Sequence, residues 1–254
     1  MEAMLSAIQI KEFATNGYLV LRHEVAPAIC ERMLSVTHAH VEDAVAPIEY
    51  EASVGYPGAP AHLDAPGGRT IRRLRGAYDR DACFRDWARN KRLVGRLRQL
   101  FDDDVCVTLA HHNCVMTKHP DYGTATGWHR DIRYWSFTKP DLICVWLALG
   151  AETGHNGGLR FIPGSHRMQI LPAQLDELDF LRPDVAENQA LFAQGVQLPL
   201  QQGDVVLFHS SLFHAAGRND SDTVKTSVAF AYHAAGTHPV AGTRSASSLS
   251  HLIG

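Results

Sequence analysis

The chain has 254 residues, of which 45% are hydrophobic and 20% charged, and its formal net charge is −3. This balance excludes collagen-like, disordered and coiled-coil proteins, because enough apolar surface is present to bury a full core. The length favours one large domain. The small negative charge gives no field that would attract nucleic acid or an anionic membrane, so we expect neither as a partner.

The cysteines and the N-terminus bear on the compartment. The five cysteines are scattered and form no CxxC pair, which predicts reduced thiols in a cytoplasmic protein. The first residues contain no signal segment, and no run of about 18 apolar residues occurs that would predict a membrane span.

The first hundred residues predict mainly helices. A short helix over 9–15 ends at Asn16-Gly17, residues 18–21 form a short strand, and Pro27 begins a helix that runs to about His40. Residues 52–68 contain three Pro and four Gly and predict a loop or lid. Residues 81–101 predict one further helix, whose many arginines are offset by nearby aspartates and indicate a solvated face.

From Val105 onward the pattern changes to short β-rich runs separated by turns. The strand-like segments are 105–116, 127–135, 141–149, 158–162, 195–200, 204–209 and 223–232. Many short strands at this spacing predict a sandwich or barrel, including the jelly roll. We expect one domain over 1–254, with a mostly helical flank and lid over 1–104, a β core over 105–233 and a loose tail over 234–254.

Histidine is the one residue type in clear excess, at 15. Two His and one carboxylate form the facial triad of non-haem iron(II) oxygenases, and residues i and i+2 of a strand share one face, about 7 Å apart. The sequence contains three His-x-Asp triplets: His62-x-Asp64, His119-x-Asp121 and His129-x-Asp131. Only the third lies in a strand-like segment, since the first falls in the Pro/Gly loop and Pro120 interrupts the second.

A third metal ligand is expected from a later strand. The segment GDVVLFHSSLFHAAGRN offers His209 at the end of one predicted strand and His214 at the start of the next. The spacing of these two residues alone does not choose between them.

Four segments in order resemble the phytanoyl-CoA dioxygenase family of iron(II)- and 2-oxoglutarate-dependent oxygenases: FATNGYLVL, GWHRD, ETGHNGGLRFIPGSH and GDVVLFHSSLFHAAGRN. The resemblance extends from about Phe13 to Tyr232. It implies a mainly β fold with flanking helices, a double-stranded β-helix (jelly roll, cupin-like). It also implies His129, Asp131 and His214 as iron ligands, with His209 beside the pocket.

The resemblance also implies a site for 2-oxoglutarate. The family's usual arginine, about eleven residues after the last histidine ligand, corresponds here to Lys225, which offers a point charge in place of a planar fork. Ser227 shares the strand face of Lys225, Trp146 and Asn113 occupy strand positions that commonly line this pocket, and Arg218 and Arg160 are alternative cations.

For the substrate, the residues that follow the His-x-Asp motif supply charge and aromatic surface, and Arg160 faces either solvent or the mouth of the site. The candidate substrate residues are Arg130, Arg133, Tyr134, Trp135, Arg160 and His209.

The resemblance implies a dioxygenase that uses Fe(II), 2-oxoglutarate and O2 to hydroxylate an unactivated C–H of a small molecule, with release of succinate and CO2. Its chemistry would be centred on the metal, without a separate acid or base. Two alternatives stay open: a catalytically silent binding protein on the same scaffold, and a zinc hydrolase that uses the same His, Asp and His set.

Overall fold

Two antiparallel sheets form the centre of the molecule, in a computed structural model that describes residues 4–248 and 250–253. The strands are β1 Tyr18–Leu21, β2 Ile48–Tyr50, β3 Ile71–Arg75, β4 Val105–Lys118, β5 Thr126–His129, β6 Leu142–Ala148, β7 Leu159–Phe161, β8 Val196–Gln197, β9 Val205–His209, β10 His214–Ala216, β11 Lys225–Ala234 and β12 Ser250–Ile253. The larger sheet has the order β1-β9-β6-β11-β4-β3-β2, with β12 also paired to β4, and the smaller has the order β5-β10-β7-β8.

Helices α1 Ala7–Asn16, α2 Pro27–Glu42, α3 Ala77–Arg80, α4 Ala82–Ala88 and α5 Lys91–Phe101 cover the outer face of the larger sheet. Helix α6 Ala186–Phe192 lies beside the smaller sheet instead, where Phe192 stacks on Trp128 of β5. Helix α1 begins at Ser6, whose hydroxyl accepts from the Gln9 amide, and ends at Gly17, whose φ of 80° suits a residue without a Cβ. Within the described residues, no helix is both long enough and apolar enough to cross a bilayer.

Alternation along the strands separates the two faces of the larger sheet. On β11, Val228, Phe230 and Tyr232 are fully buried and belong to the core formed with the helices. Ala229 and Ala231, which point the other way, belong to the core between the two sheets. These small side chains leave space between the sheets, where the site lies. The double-stranded β-helix with flanking helices is therefore confirmed.

The predicted helix over 81–101 is wrong as a single element. Helix α4 ends at Ala88 and α5 begins at Lys91. The break follows from Asn90, whose side-chain oxygen accepts from the backbone amides of Arg92 (3.0 Å) and Leu93 (3.2 Å). An asparagine that caps a new helix in this way satisfies amides that have no partner at a helix start.

The predicted strand over 127–135 is wrong beyond His129. Strand β5 ends there, and Asp131–Tyr134 form a 3-10 turn. The Ile132 amide donates to the Ser210 carbonyl (2.9 Å), which anchors the turn to the segment before β10. His129 and Asp131 therefore do not share a strand face. The turn, rather than the pleat, directs the Asp131 side chain.

The flank and the tail contain strands that were not expected. Besides the predicted strand over 18–21, which is β1, the flank contributes β2 and β3 to the larger sheet, and the tail predicted as loose contains β12. β12 pairs antiparallel with the start of β4, and Ile253 is buried in the main core. Pairing with an open strand edge and burial of this side chain explain why the tail is ordered.

Candidate metal centre

Three side chains converge between the two sheets: His129 at the end of β5, Asp131 in the turn that follows, and His214 at the start of β10. Strands β5 and β10 pair antiparallel with His129 directly opposite His214. The Nε2 atoms of His129 and His214 lie 3.6 and 3.5 Å from Asp131 Oδ1. One ligand atom of each residue lies within 4.8 Å of the others, and all three residues are buried. The structure thus brings together the three residues that the resemblance implied as ligands.

Backbone carbonyls orient both imidazole rings. His129 Nδ1 lies 2.9 Å from the Gly127 carbonyl oxygen, and His214 Nδ1 lies 3.1 Å from that of Leu212. A carbonyl oxygen only accepts, so Nδ1 carries the proton in each ring. The lone pair of Nε2 is then directed at the point shared with Asp131. This is the arrangement in which histidine binds a metal while its second nitrogen is held by the protein.

The electrostatics of this cluster fit a divalent cation. Burial and the neighbouring His214 lower the pKa of His129 to about 4, so its imidazole is neutral at neutral pH. Burial raises the pKa of Asp131, but the nearby His112 and His214 outweigh it and hold that pKa well below its usual range. Two imidazole nitrogens and one ionised carboxylate on one face suit iron(II) and leave further coordination positions open.

Two further side chains contact Asp131. His112 Nε2 lies 2.8 Å from Asp131 Oδ1, and the Cys144 thiol donates to Asp131 Oδ2 at 3.3 Å. The sequence did not identify either residue. His112 lies within a bulge in β4, where the pairing with β11 jumps from Asn113 to Thr108 and His111 adopts a φ of 62°. An irregularity of this kind redirects side chains and leaves no mark in hydrophobic periodicity.

A cavity, here called the metal cavity, extends from the three converging side chains along the inner face of the larger sheet. Lys118 and Lys225 lie opposite each other at its far end, on β4 and β11. Its lining includes Arg72, Arg73, His112, Lys118, His129, Asp131, Cys144, Trp146, His214 and Lys225. Trp146 and Lys225 therefore occupy the expected cavity.

Lys225 is bound to an internal carboxylate that the sequence did not identify. Glu152 is fully buried, and its Oε2 lies 3.4 Å from Lys225 Nζ. Glu152 Oε1 accepts from the Trp146 indole at 2.9 Å and from the Ser227 hydroxyl at 2.6 Å. Three of the residues expected around 2-oxoglutarate thus surround a carboxylate of the protein itself.

Asn113 and His209 lie away from the metal cavity, contrary to expectation. Asn113 is on the opposite face of β4 from Cys114, and its side-chain oxygen accepts from the Tyr78 amide at 2.8 Å, at the start of α3. His209 Nε2 lies 3.3 Å from Asp141 Oδ1, beside His166. Strand alternation explains the position of Asn113. Contact with the partly exposed Asp141 accounts for the position of His209.

The candidate substrate residues separate into two groups. Arg130 lies over the Phe213 ring and Arg160 over the Trp128 ring, and neither lines the metal cavity. The Trp135 indole donates to the Ala110 carbonyl, which makes this ring structural. Arg133 and Tyr134, in contrast, lie close to the site.

Aromatic side chains pack beside the buried cluster of His129, Asp131 and His214. The Tyr56 hydroxyl lies 3.2 Å from that of Tyr134, and the Tyr56 ring packs edge-on against Phe180 at 5.2 Å. Phe180 lies 5.2 Å from the His129 ring, and Arg133 lies over Phe180. We call Tyr56, Tyr134 and Phe180 the aromatic roof. Tyr56 belongs to the Pro/Gly loop that the sequence predicts as a lid.

A double-stranded β-helix with a buried His, Asp and His cluster between its sheets defines the class of iron(II)- and 2-oxoglutarate-dependent dioxygenases. The chain belongs to the phytanoyl-CoA dioxygenase family, whose sequence profile matches residues 13–227. The protein is accordingly a non-haem dioxygenase that uses iron(II), 2-oxoglutarate and O2.

Individual relatives agree with this family assignment. The chain is 24% identical over 250 residues to the peroxisomal phytanoyl-CoA dioxygenase of Homo sapiens, covering 92% of this chain and 70% of that protein. Over 158 residues it is 25% identical to a probable alpha-ketoglutarate-dependent hypophosphite dioxygenase of Stutzerimonas stutzeri, covering 61% of this chain and 54% of that protein.

Solved structures show the same fold. The alpha-ketoglutarate-dependent carbocyclase SnoK of nogalamycin biosynthesis superimposes with a TM-score of 0.73 at 17% identity, covering 98% of this chain and 97% of that one. EctD from S. alaskensis, solved with 2-oxoglutarate and 5-hydroxyectoine, gives a TM-score of 0.72 at 22% identity, covering 91% and 76%.

Proposed function

We propose that His129, Asp131 and His214 bind the iron(II) of this dioxygenase and that the enzyme hydroxylates a C–H bond of a small molecule. The convergence of two Nε2 atoms on Asp131 Oδ1 inside a buried cavity carries this proposal. With 2-oxoglutarate and O2, the bound iron supplies the oxidation of the substrate and the release of succinate and CO2. The carboxylate of Asp131 fills the third protein position, which favours hydroxylation over halogenation.

The surrounding side chains position Asp131 and exclude water. Cys144 donates to Oδ2 of Asp131, which keeps Oδ1 directed at the two imidazoles. Phe180 of the aromatic roof packs apolar ring surface against the His129 ring, and Tyr56 packs edge-on against Phe180. A dry site strengthens every electrostatic interaction within it and protects reactive species from solvent.

The distal carboxylate of 2-oxoglutarate needs a cation, and the ion pairs of the metal cavity indicate which one. Arg72 pairs with Glu51 at 3.0 Å, Arg73 with Glu49 at 3.4 Å and Lys225 with Glu152 at 3.4 Å. Lys118 donates to the Gly217 carbonyl, and in the described part of the chain no carboxylate lies within 4.0 Å of it. We therefore propose Lys118 as the cation for the distal carboxylate, with the Lys225–Glu152 pair as its neutral neighbour.

Iron content and 2-oxoglutarate turnover test the ligand assignment. We expect wild type to bind iron and to release succinate from 2-oxoglutarate in the presence of O2, and His129→Ala, Asp131→Ala and His214→Ala to lose both properties. His209→Ala is the matched control, because His209 lies off the metal cavity, and it is expected to retain both.

Three outcomes would contradict the proposal. Near-normal iron content and turnover in His214→Ala would exclude His214 as a ligand. Hydrolysis of a substrate without O2 would instead identify a zinc hydrolase. Wild type that binds iron but not 2-oxoglutarate would indicate a silent binding protein.

We also propose that the enzyme acts in the cytoplasm as one domain. All five cysteines are free thiols, which supports a reducing compartment. The larger sheet takes strands from the flank, the core and the tail, which supports a single domain. Fluorescence microscopy of the tagged protein and a single cooperative unfolding transition are the corresponding tests.

A further inference from the structure

A second cavity, of about 220 Å³, adjoins the metal cavity. The two cavities share Arg73 and His112, and His112 contacts the proposed metal ligand Asp131 at 2.8 Å. We call this second space the arginine cavity. Its lining includes Glu49, Arg73, Arg75, His111, His112, Tyr134 and Arg244.

Positive charge dominates the arginine cavity. Arg73 and Arg75 alternate on β3 and face the same side of the sheet as Met116 and Cys114, which are paired with them. Arg244 reaches the cavity from the 3-10 turn that precedes β12. Three guanidinium groups from two distant parts of the chain therefore meet in one space.

These charges are only partly neutralised. Glu49 is the one carboxylate among the described lining residues, and its Oε1 lies 3.4 Å from Arg73. Across residues 4–248 and 250–253, neither Arg75 nor Arg244 has a carboxylate within 4.0 Å. Two positive charges are thus available to a ligand at the rim of the cavity.

The bulge in β4 adds an unpaired imidazole to the same space. His111 Nε2 is buried and has no hydrogen-bond partner in the described residues, and its ring lies 5.5 Å from that of Tyr134. Burial and the charges of Arg244 and His112 lower the pKa of His111 to about 4, which keeps it neutral. A neutral imidazole beside two guanidinium groups offers a ligand a directed hydrogen bond.

We propose that the arginine cavity binds a carboxylate or phosphate group of the substrate, and that the substrate of this enzyme is a small anionic molecule. The planar guanidinium group matches an oxyanion with two parallel hydrogen bonds. An anion held by Arg75 and Arg244 places the rest of the molecule along His112 and Tyr134, toward the metal cavity. This inference rests on the proposed function, because it takes the metal cavity as the place of oxidation.

The experiment uses inorganic phosphate and acetate as probes of the two anion classes. Each is titrated by calorimetry into the full-length protein, which is first loaded with zinc(II) and 2-oxoglutarate. Zinc(II) is used in place of iron(II) because it does not oxidise. We compare wild type with Arg75→Gln/Arg244→Gln and with Arg85→Gln/Arg89→Gln. The second double variant removes the same charge from α4 and its end, away from the cavity.

We expect saturable binding of at least one probe by wild type and by the α4 control, and a loss of about tenfold or more in affinity in the cavity variant, equivalent to about 1.4 kcal/mol. The stronger probe identifies the anion class. Absence of binding, equal affinity in the cavity variant, or equal losses in both double variants would overturn the inference. If the protein binds the probe through Arg75 and Arg244 but does not bind iron, the anion site stands and only the proposed function is refuted.

Discussion

Lys118 and Lys225 lie opposite each other on neighbouring strands, yet their charges have different surroundings. Lys225 contacts a fully buried glutamate, whereas within residues 4–248 and 250–253 the Lys118 ammonium group donates to a backbone carbonyl and has no carboxylate partner. The family resemblance, counted from His214, pointed to Lys225, which lines the metal cavity. It could not reveal Glu152, because that residue lies in an irregular segment after β6 and meets Lys225 only in the folded chain. Lys118 is paired with Lys225 and lies on the same face of the larger sheet, which the alternation of β4 alone did not single out.

Replacement of Lys118 tests its proposed role as the cation for the distal carboxylate of 2-oxoglutarate. Lys118→Met keeps the length of the side chain and removes its charge, so we expect 2-oxoglutarate to bind at least about tenfold more weakly, because a desolvated ion pair is lost. Anaerobic calorimetry on the metal-loaded protein measures this. Lys91→Met, at the exposed start of α5, is the control. An unchanged affinity in Lys118→Met would transfer the role to another cation.

The same residue predicts a pH dependence. Burial, with the charges of Lys225 and Arg72, lowers the pKa of Lys118 to about 7, although Glu51 and Glu152 act in the opposite direction. Below that pH the ammonium is already charged and available to the distal carboxylate, and above it the charge is lost, so the affinity for 2-oxoglutarate is expected to fall as pH rises from about 6 to 8. Calorimetry across this range measures the slope. Lys118→Arg, which stays protonated, should flatten it, and an equal slope in that variant would refute the attribution.

The Lys225–Glu152 pair predicts a stability effect. Lys225→Met leaves the Glu152 carboxylate buried without its cation, which is expected to cost about 3–5 kcal/mol of unfolding free energy. Urea denaturation measures the loss. Adding Glu152→Gln to this variant should recover part of it, because the amide oxygen still accepts from Trp146 and Ser227. Equal stability of the single and double variants would argue against the ion pair.

Among the elements, regular periodicity was sufficient for the long strands and helices and insufficient where the chain bends. Strands β6, β9 and β11 were predicted within a few residues because their apolar faces are continuous. The bulge of β4 and the turn over Asp131–Tyr134 depend on pairing with distant segments. These two irregular features place His112 and Asp131. Sequence patterns and the family resemblance therefore pointed to the candidate ligands but not to His112 beside them.

Asn90 tests the local cause of the break between α4 and α5. Asn90→Ala removes the side-chain acceptor for two backbone amides and is expected to lower the unfolding free energy by about 1 kcal/mol. Thermal or urea unfolding measures it. Asn90→Asp, which keeps an acceptor at this position, should remain close to wild type. A loss of the same size in both variants would point to another role for the amide.

The whole molecule combines parts of the chain that lie far apart in sequence. The larger sheet includes β1 near the N-terminus and β12 near the C-terminus, and the arginine cavity joins β3 to the turn before β12. The aromatic roof joins the Pro/Gly loop to the turn after β5 through the hydroxyls of Tyr56 and Tyr134. The loop over 52–68 was predictable from its Pro and Gly content, whereas its contact with Phe180 was not, because Phe180 lies far along the chain and meets Tyr56 only in the fold.

Anaerobic addition of iron(II) and then 2-oxoglutarate to the purified protein tests the central claim most directly, since chelation of the metal by the keto acid produces a charge-transfer absorption in the visible. We predict this absorption in wild type and in His209→Ala, and its loss in His129→Ala and His214→Ala. Absorption of normal intensity in His214→Ala, or none in wild type, would contradict the account.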